Sequence, residues 1–219
     1  MSYPMVHLSV AWALLPDARA AEPADYLLGA VAPDAVHYRA DYNSDMKLYS
    51  HFGCESMDEI REKWGYVTEN EPWIARVRAL WKSCGEGPER SFLCGYYVHI
   101  LTDIFNNIAV WTPFRMSQGG TFDRTVYNLY GDECRNVDYL LYRNNPERAR
   151  LWELLGQARA FGIGDHIAKE EVESLRESIL HERFRERPLP DVSENRYFRL
   201  GDAQDFICRA AAFTAERLF

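Results

Sequence analysis

Apolar residues recur at helical spacing along most of this chain, and no segment alternates apolar and polar positions for long enough to suggest a strand. Residues 5–15 read as a short apolar helix stopped near Pro16, and Pro23 opens a second, ADYLLGAVA, that runs to a break at Pro33. Ser56 with Glu59 and Thr68 with Glu71 are capping-box patterns that predict helices over 57–64 and 69–83, the latter closed by Gly85 and Gly87. The apolar run FLCGYYVHILTDIFNNIAVW, residues 92–111, predicts a central helix over 89–109. TPF and SQGG make 112–120 a loop, after which Thr121 would cap a helix through Tyr142. Asn144-Asn145-Pro146 breaks the chain before a helix over 147–160. KEEVESLRESILHERF forms another with a charged outer face, RPLPDV is a linker, and Asp202 would cap a last helix ending at Phe219. The pattern predicts an all-α protein, a single compact multi-helix domain over residues 1–219.

The central run is long enough to suggest a membrane span, but it carries a polar stripe that marks one face of a buried helix. His99 and Asp103 are four residues apart and share that face, with Tyr96 and Asn106 or Asn107 extending it. Ionisable groups in an apolar helix are costly unless paired, hydrogen-bonded or bound to metal. An imidazole and a carboxylate converging from one helical turn is a zinc-ligand arrangement. It is equally the arrangement of a satisfied buried His–Asp pair, and both readings stay open here.

Composition narrows the classes. With 219 residues, 47% hydrophobic and 14% aromatic, the chain can bury a full core. Its net charge of −8 lacks the basic footprint that a nucleic-acid duplex requires. Cys54, Cys84, Cys94, Cys134 and Cys208 are odd in number and form no CxxC, as expected of free thiols in a reducing compartment. The N-terminal apolar segment has no basic region before it, and with His7 and an early Pro16 it fits a signal peptide poorly. A cytoplasmic location without a transmembrane segment is the expectation.

Four of the six histidines, His7, His37, His51 and His99, fall beside the apolar helices, whereas His166 and His181 sit among charged residues and read as surface. Taken in order, VHLSVA with His7, YLLGAVAPDAVH with Asp34 and His37, YSHF with His51, and GYYVHILTDIFNN with His99 and Asp103 resemble the zinc-dependent phospholipase C family. That family is all-helical and shares its fold with the single-strand-specific zinc nucleases. The resemblance covers about residues 5–108. It implies one zinc held by Asp34, His51, His99 and Asp103, and a second held by His7 with a shared Asp103. It further implies hydrolysis of a phosphate ester by metal-bound water, with Asp34 doubling as general base.

The chain also departs from the family. Secreted members use a processed N-terminus as a ligand, whereas here MSYPMV precedes His7. A third metal would need a further His and an HxxxE pair after the central helix, yet no His lies between His99 and His166. Asp132, Glu133 and Asp138, with Asp123, are the carboxylates available to rebuild that site, although an ordinary solvated helix face explains them too. His37, three residues past Asp34, is an extra candidate ligand. The expectation is a centre of one or two ions, zinc or another divalent metal, acting on a small phosphate ester or phospholipid. A metal-binding or structural homologue that has lost activity is the alternative. A phosphohydrolase of the HD type would need an adjacent His-Asp doublet, which is absent. Tyr49, Phe52, Trp111 and Phe114 are candidates for an apolar rim, and Lys47, Arg39 and Arg115 for a phosphate contact, by neighbourhood only.

Overall fold

The computed structural model describes residues 3–54, 70–119 and 123–219. The predicted helix over 57–64 and the Thr121 cap lie outside those residues. Ten α-helices are present among the described residues: α1 Pro4–Ala18, α2 Pro23–Gly29, α3 Ser44–Ser50, α4 Asn70–Ser83, α5 Arg90–Asn106, α6 Thr112–Ser117, α7 Arg124–Asn144, α8 Arg148–Gln157, α9 Lys169–Ser178 and α10 Leu200–Leu218. A 3-10 segment covers Ala32–Tyr38, and π-helical turns cover Asn107–Trp111 and Ile179–Arg183. The described residues contain one isolated β-bridge, Ile163 with Ile167, and no strand. The chain is all-α, as its periodicity predicts.

Helix α5 forms the centre of the molecule. It is apolar nearly all round, so it must be covered on every side, and α1, α2, α4 and α10 pack against it. Its contact with α2 is backbone against backbone. A Cβ built on Gly95 would come within 1.9 Å of the Tyr26 carbonyl oxygen, and one on Gly29 within 2.0 Å of the Phe92 carbonyl oxygen. Only glycine permits that approach. A second, smaller core gathers Trp111, Tyr130, Cys134, Val137 and Phe198 under the C-terminal half.

Several boundaries differ from the sequence expectation. Helix α1 runs on through Pro16 to Ala18, because a proline in the last turn forfeits a single hydrogen bond and its ring is exposed. Residues 112–117 are helical instead of loop. Helix α6 follows directly on the π-helical turn Asn107–Trp111, with Pro113 near its start, and Phe114 stacks on Tyr130 at 4.6 Å. Helix α3 was not foreseen; its start is set by Asn43, whose side chain accepts the N–H groups of Asp45 and Met46. Asp123 caps α7 by accepting from the Thr125 N–H. Asp202 lies in the first turn of α10 and accepts from the N–H of Arg199, so it supports the start of the helix from inside. All five cysteines are free. No helix among the described residues is long and apolar enough to cross a membrane.

Candidate metal centre

Four segments meet at one buried point. The second turn of α1 supplies His7, the 3-10 segment Asp34, the C-cap of α3 His51, and α5 both His99 and Asp103. His7, His51, His99 and Asp103 are buried, and Asp34 reaches partway to solvent.

The atoms that face one another are those able to bind a cation. His51 Nε2 lies 3.1 Å from His99 Nε2, 3.5 Å from Asp103 Oδ2 and 3.6 Å from Asp34 Oδ1, and His99 Nε2 lies 3.9 Å from Asp103 Oδ2. Ligands on a tetrahedral zinc with bonds near 2.0–2.1 Å stand roughly 3.3–3.5 Å apart, so these spacings match the edges of such a site. Two groups of donors lie close enough to hold an ion: His51, His99 and Asp103, and His7, Asp34 and His99.

The protons are arranged accordingly. His99 Nδ1 is 2.9 Å from the Ala30 carbonyl oxygen, so Nδ1 carries the proton and Nε2 presents a lone pair. The glycine contact between α2 and α5 brings that carbonyl within reach. His51 Nδ1 is 2.9 Å from Ser50 Oγ, which itself lies 3.0 Å from the carbonyl oxygens of Pro33 and Lys47. With the single hydroxyl proton given to one of those carbonyls, Oγ is placed to accept from a His51 Nδ1–H. Two Nε2 lone pairs then face each other, an arrangement that favours a cation between them. Outward bonds of this type orient metal-ligating imidazoles.

His7 stacks on His99 with ring centroids 3.6 Å apart and planes 7° from parallel. Both its ring nitrogens are buried without a hydrogen bond, and Nε2 stands 3.5 Å from Asp103 Oδ1. Asp103 therefore turns one oxygen to His7 and the other to His51 and His99.

Lys47 also belongs to the centre. Its ammonium is buried, 2.6 Å from Asp34 Oδ1 and 3.8 Å from Asp103 Oδ2. Burial alone would raise the pKa of both carboxyls, but Lys47 leads the opposing contributions and holds them well below the usual carboxylate range. Burial pushes His51 and His99 down, with Lys47 adding to the effect at His51 and His7 at His99, so both imidazoles are neutral, as ligands must be. His37 is exposed, with Nε2 3.8 Å from Asp34 Oδ1.

The remaining candidates are held elsewhere. Asp132 is exposed and paired with Arg135. Glu133 is buried and accepts the N–H groups of Arg196, Tyr197 and Phe198 at 2.8, 2.7 and 3.0 Å. Asp138 is buried and accepts the Met5 N–H at 2.9 Å. Glu133 and Asp138 thus bond to backbone N–H groups, and none of the three carboxylates is in a donor group close enough to hold an ion among the described residues. Arg39 is committed to Glu171 and the His166 carbonyl. His166 is half-buried, stacked on Tyr49 and edge-on to Phe52, because its Nδ1 finds the Tyr49 carbonyl. Phe52 and Trp111 are core residues and form no exposed rim. Sequence reasoning missed Ser50 and the Ala30 carbonyl altogether. The adjacency of Ser50 to His51 was a signal for the first, and Gly29 with Gly95 for the second.

A comparison with protein families, with curated protein sequences and with solved structures found no match for this chain.

Proposed function

We propose that the chain is a metal-dependent hydrolase of phosphate esters, phospholipase C-like, with zinc as the fitting ion. The observation that carries this reading is the set of donor atoms His51 Nε2, His99 Nε2 and Asp103 Oδ2, 3.1, 3.5 and 3.9 Å apart, with Asp34 Oδ1 3.6 Å from His51 Nε2. His7 Nε2, 3.5 Å from Asp103 Oδ1, adds a further nitrogen beside that set. Bound there, a divalent ion supplies Lewis-acid polarisation of a phosphoryl oxygen and activation of water near neutral pH. The protein's own groups position it: Ala30 and Ser50 set the rings, and Asp103 spans towards His7. Asp34 is strongly ionised beside Lys47, which suits a ligand better than a general base, because a good base has a pKa near the working pH. Its partial exposure, next to His37, makes it the solvent-side member of the centre.

The test is elemental analysis of tag-free protein followed by assays with bis(p-nitrophenyl) phosphate and phosphatidylcholine vesicles. The expected result is stoichiometric metal and hydrolysis that chelation and His51→Ala both abolish. Protein that neither contains zinc nor takes it up would sink the metal reading. Metal without turnover would favour a second reading, a metal-holding or structural homologue without activity. Lys47 is the observation on its side, because it already neutralises charge at both carboxylates.

A further inference from the structure

The two donor groups share one residue. His51, His99 and Asp103 form the first, and His7, Asp34 and His99 the second. His99 has a single lone pair to offer, on Nε2, because Nδ1 gives its proton to the Ala30 carbonyl oxygen. Both groups therefore cannot be complete at the same time. Charge points the same way. Among the described residues the centre holds the Asp34 and Asp103 carboxylates and the Lys47 ammonium. A second divalent ion at these carboxylates would stand against the Lys47 ammonium in a buried site, where like charges are costly. The Lys47 ammonium is 2.6 Å from Asp34 Oδ1, in direct ion-pair contact with the carboxylate, and its side chain is 7% exposed.

We infer that Lys47 takes the place of a second metal ion, so that this centre holds a single divalent cation beside a fixed ammonium. The inference rests on the metal-centre reading above and goes beyond it in setting the stoichiometry and in giving Lys47 a role. A like charge within about 4 Å of a bound ion weakens binding. Lys47 therefore also sets the affinity of the one site.

Zinc titration of the full, tag-free chain, followed by native mass spectrometry and by competition with a chromophoric chelator, tests this without any activity assay. The wild type is expected to hold one zinc. Lys47→Gln is expected to hold it at least about tenfold more tightly or to accept a second ion, since one opposing charge is gone. A wild type that takes two zinc ions overturns the inference, and so does a folded Lys47→Gln with one zinc at unchanged affinity. If Lys47→Gln does not fold, Lys47→Arg carries the test. One zinc at near wild-type affinity supports the inference, and a second ion overturns it. If neither the wild type nor a folded Lys47→Gln takes up zinc, the metal-centre reading itself fails. Zinc uptake by Lys47→Gln alone would keep a metal-competent donor set but overturn the pairing of Lys47 with one ion.

Discussion

Burial pushes the Asp138 carboxyl up to about 7, against the pull of the Met5 and Val6 N–H groups at the start of α1. A carboxyl whose folded pKa is above its unfolded value near 3.8 holds its proton more tightly in the folded state. Its contribution is complete below the unfolded value and is lost as pH rises through about 7. Asp138→Asn, which fixes a neutral group, should flatten the fall in melting temperature between pH 5 and 8, an effect of about 2.5 kcal/mol at most. Equal slopes for the two proteins would show that Asp138 stays ionised in the fold. Asp34 and Asp103 work in the opposite sense: Lys47 keeps them acidic, so their contribution is present at neutral pH and lost as pH falls below the ordinary carboxylate range. At His99 the two original readings separate experimentally. His99→Ala should lower bound metal and melting temperature together, whereas a loss of stability at unchanged metal content would mark a core hydrogen bond to Ala30.

Among the elements, α2 and α5 are the pair on which the centre depends. Gly95→Ala would drive a methyl group into the Tyr26 carbonyl and the Ala30 N–H. Overpacking of this kind costs roughly 1–3 kcal/mol or more. The variant should melt lower and bind zinc more weakly, because any separation of the two helices takes the Ala30 carbonyl away from His99. A lower melting point with unchanged zinc affinity would show that the two helices separate without disturbing the donor atoms. The existence of α1, α2, α4, α5, α7, α8, α9 and α10 was legible in apolar periodicity and capping residues, because their cores are built from side chains that repeat every three or four positions. Helix α3 and helix α6 were not legible. They are seven and six residues long, too short for a period to develop, and each is set by a local device: the Asn43 side chain in one, the preceding π-helical turn with an aromatic cluster in the other.

At the scale of the whole molecule, His7, Asp34, His51, His99 and Asp103 were legible as a set only through the order of short motifs, since spacing by itself ties together no more than His99 and Asp103. The inclusion of Lys47 and the exclusion of Glu133 and Asp138 depend on long-range packing that no local pattern encodes. Zinc at a hundred times its dissociation constant should stabilise the folded chain by about 2.7 kcal/mol, read as a rise in melting temperature that chelator reverses. No shift with zinc would leave the cluster an ionic network without a metal. The clustered donor atoms come from α1, the 3-10 segment, α3 and α5, so the donor set does not exist until those segments have closed around the central helix. Contacts that form after the folding transition state change the rate of unfolding and leave the rate of folding nearly untouched. An ion held at this junction would thus act as a latch on the finished structure, lengthening the lifetime of the native state without guiding the chain towards it.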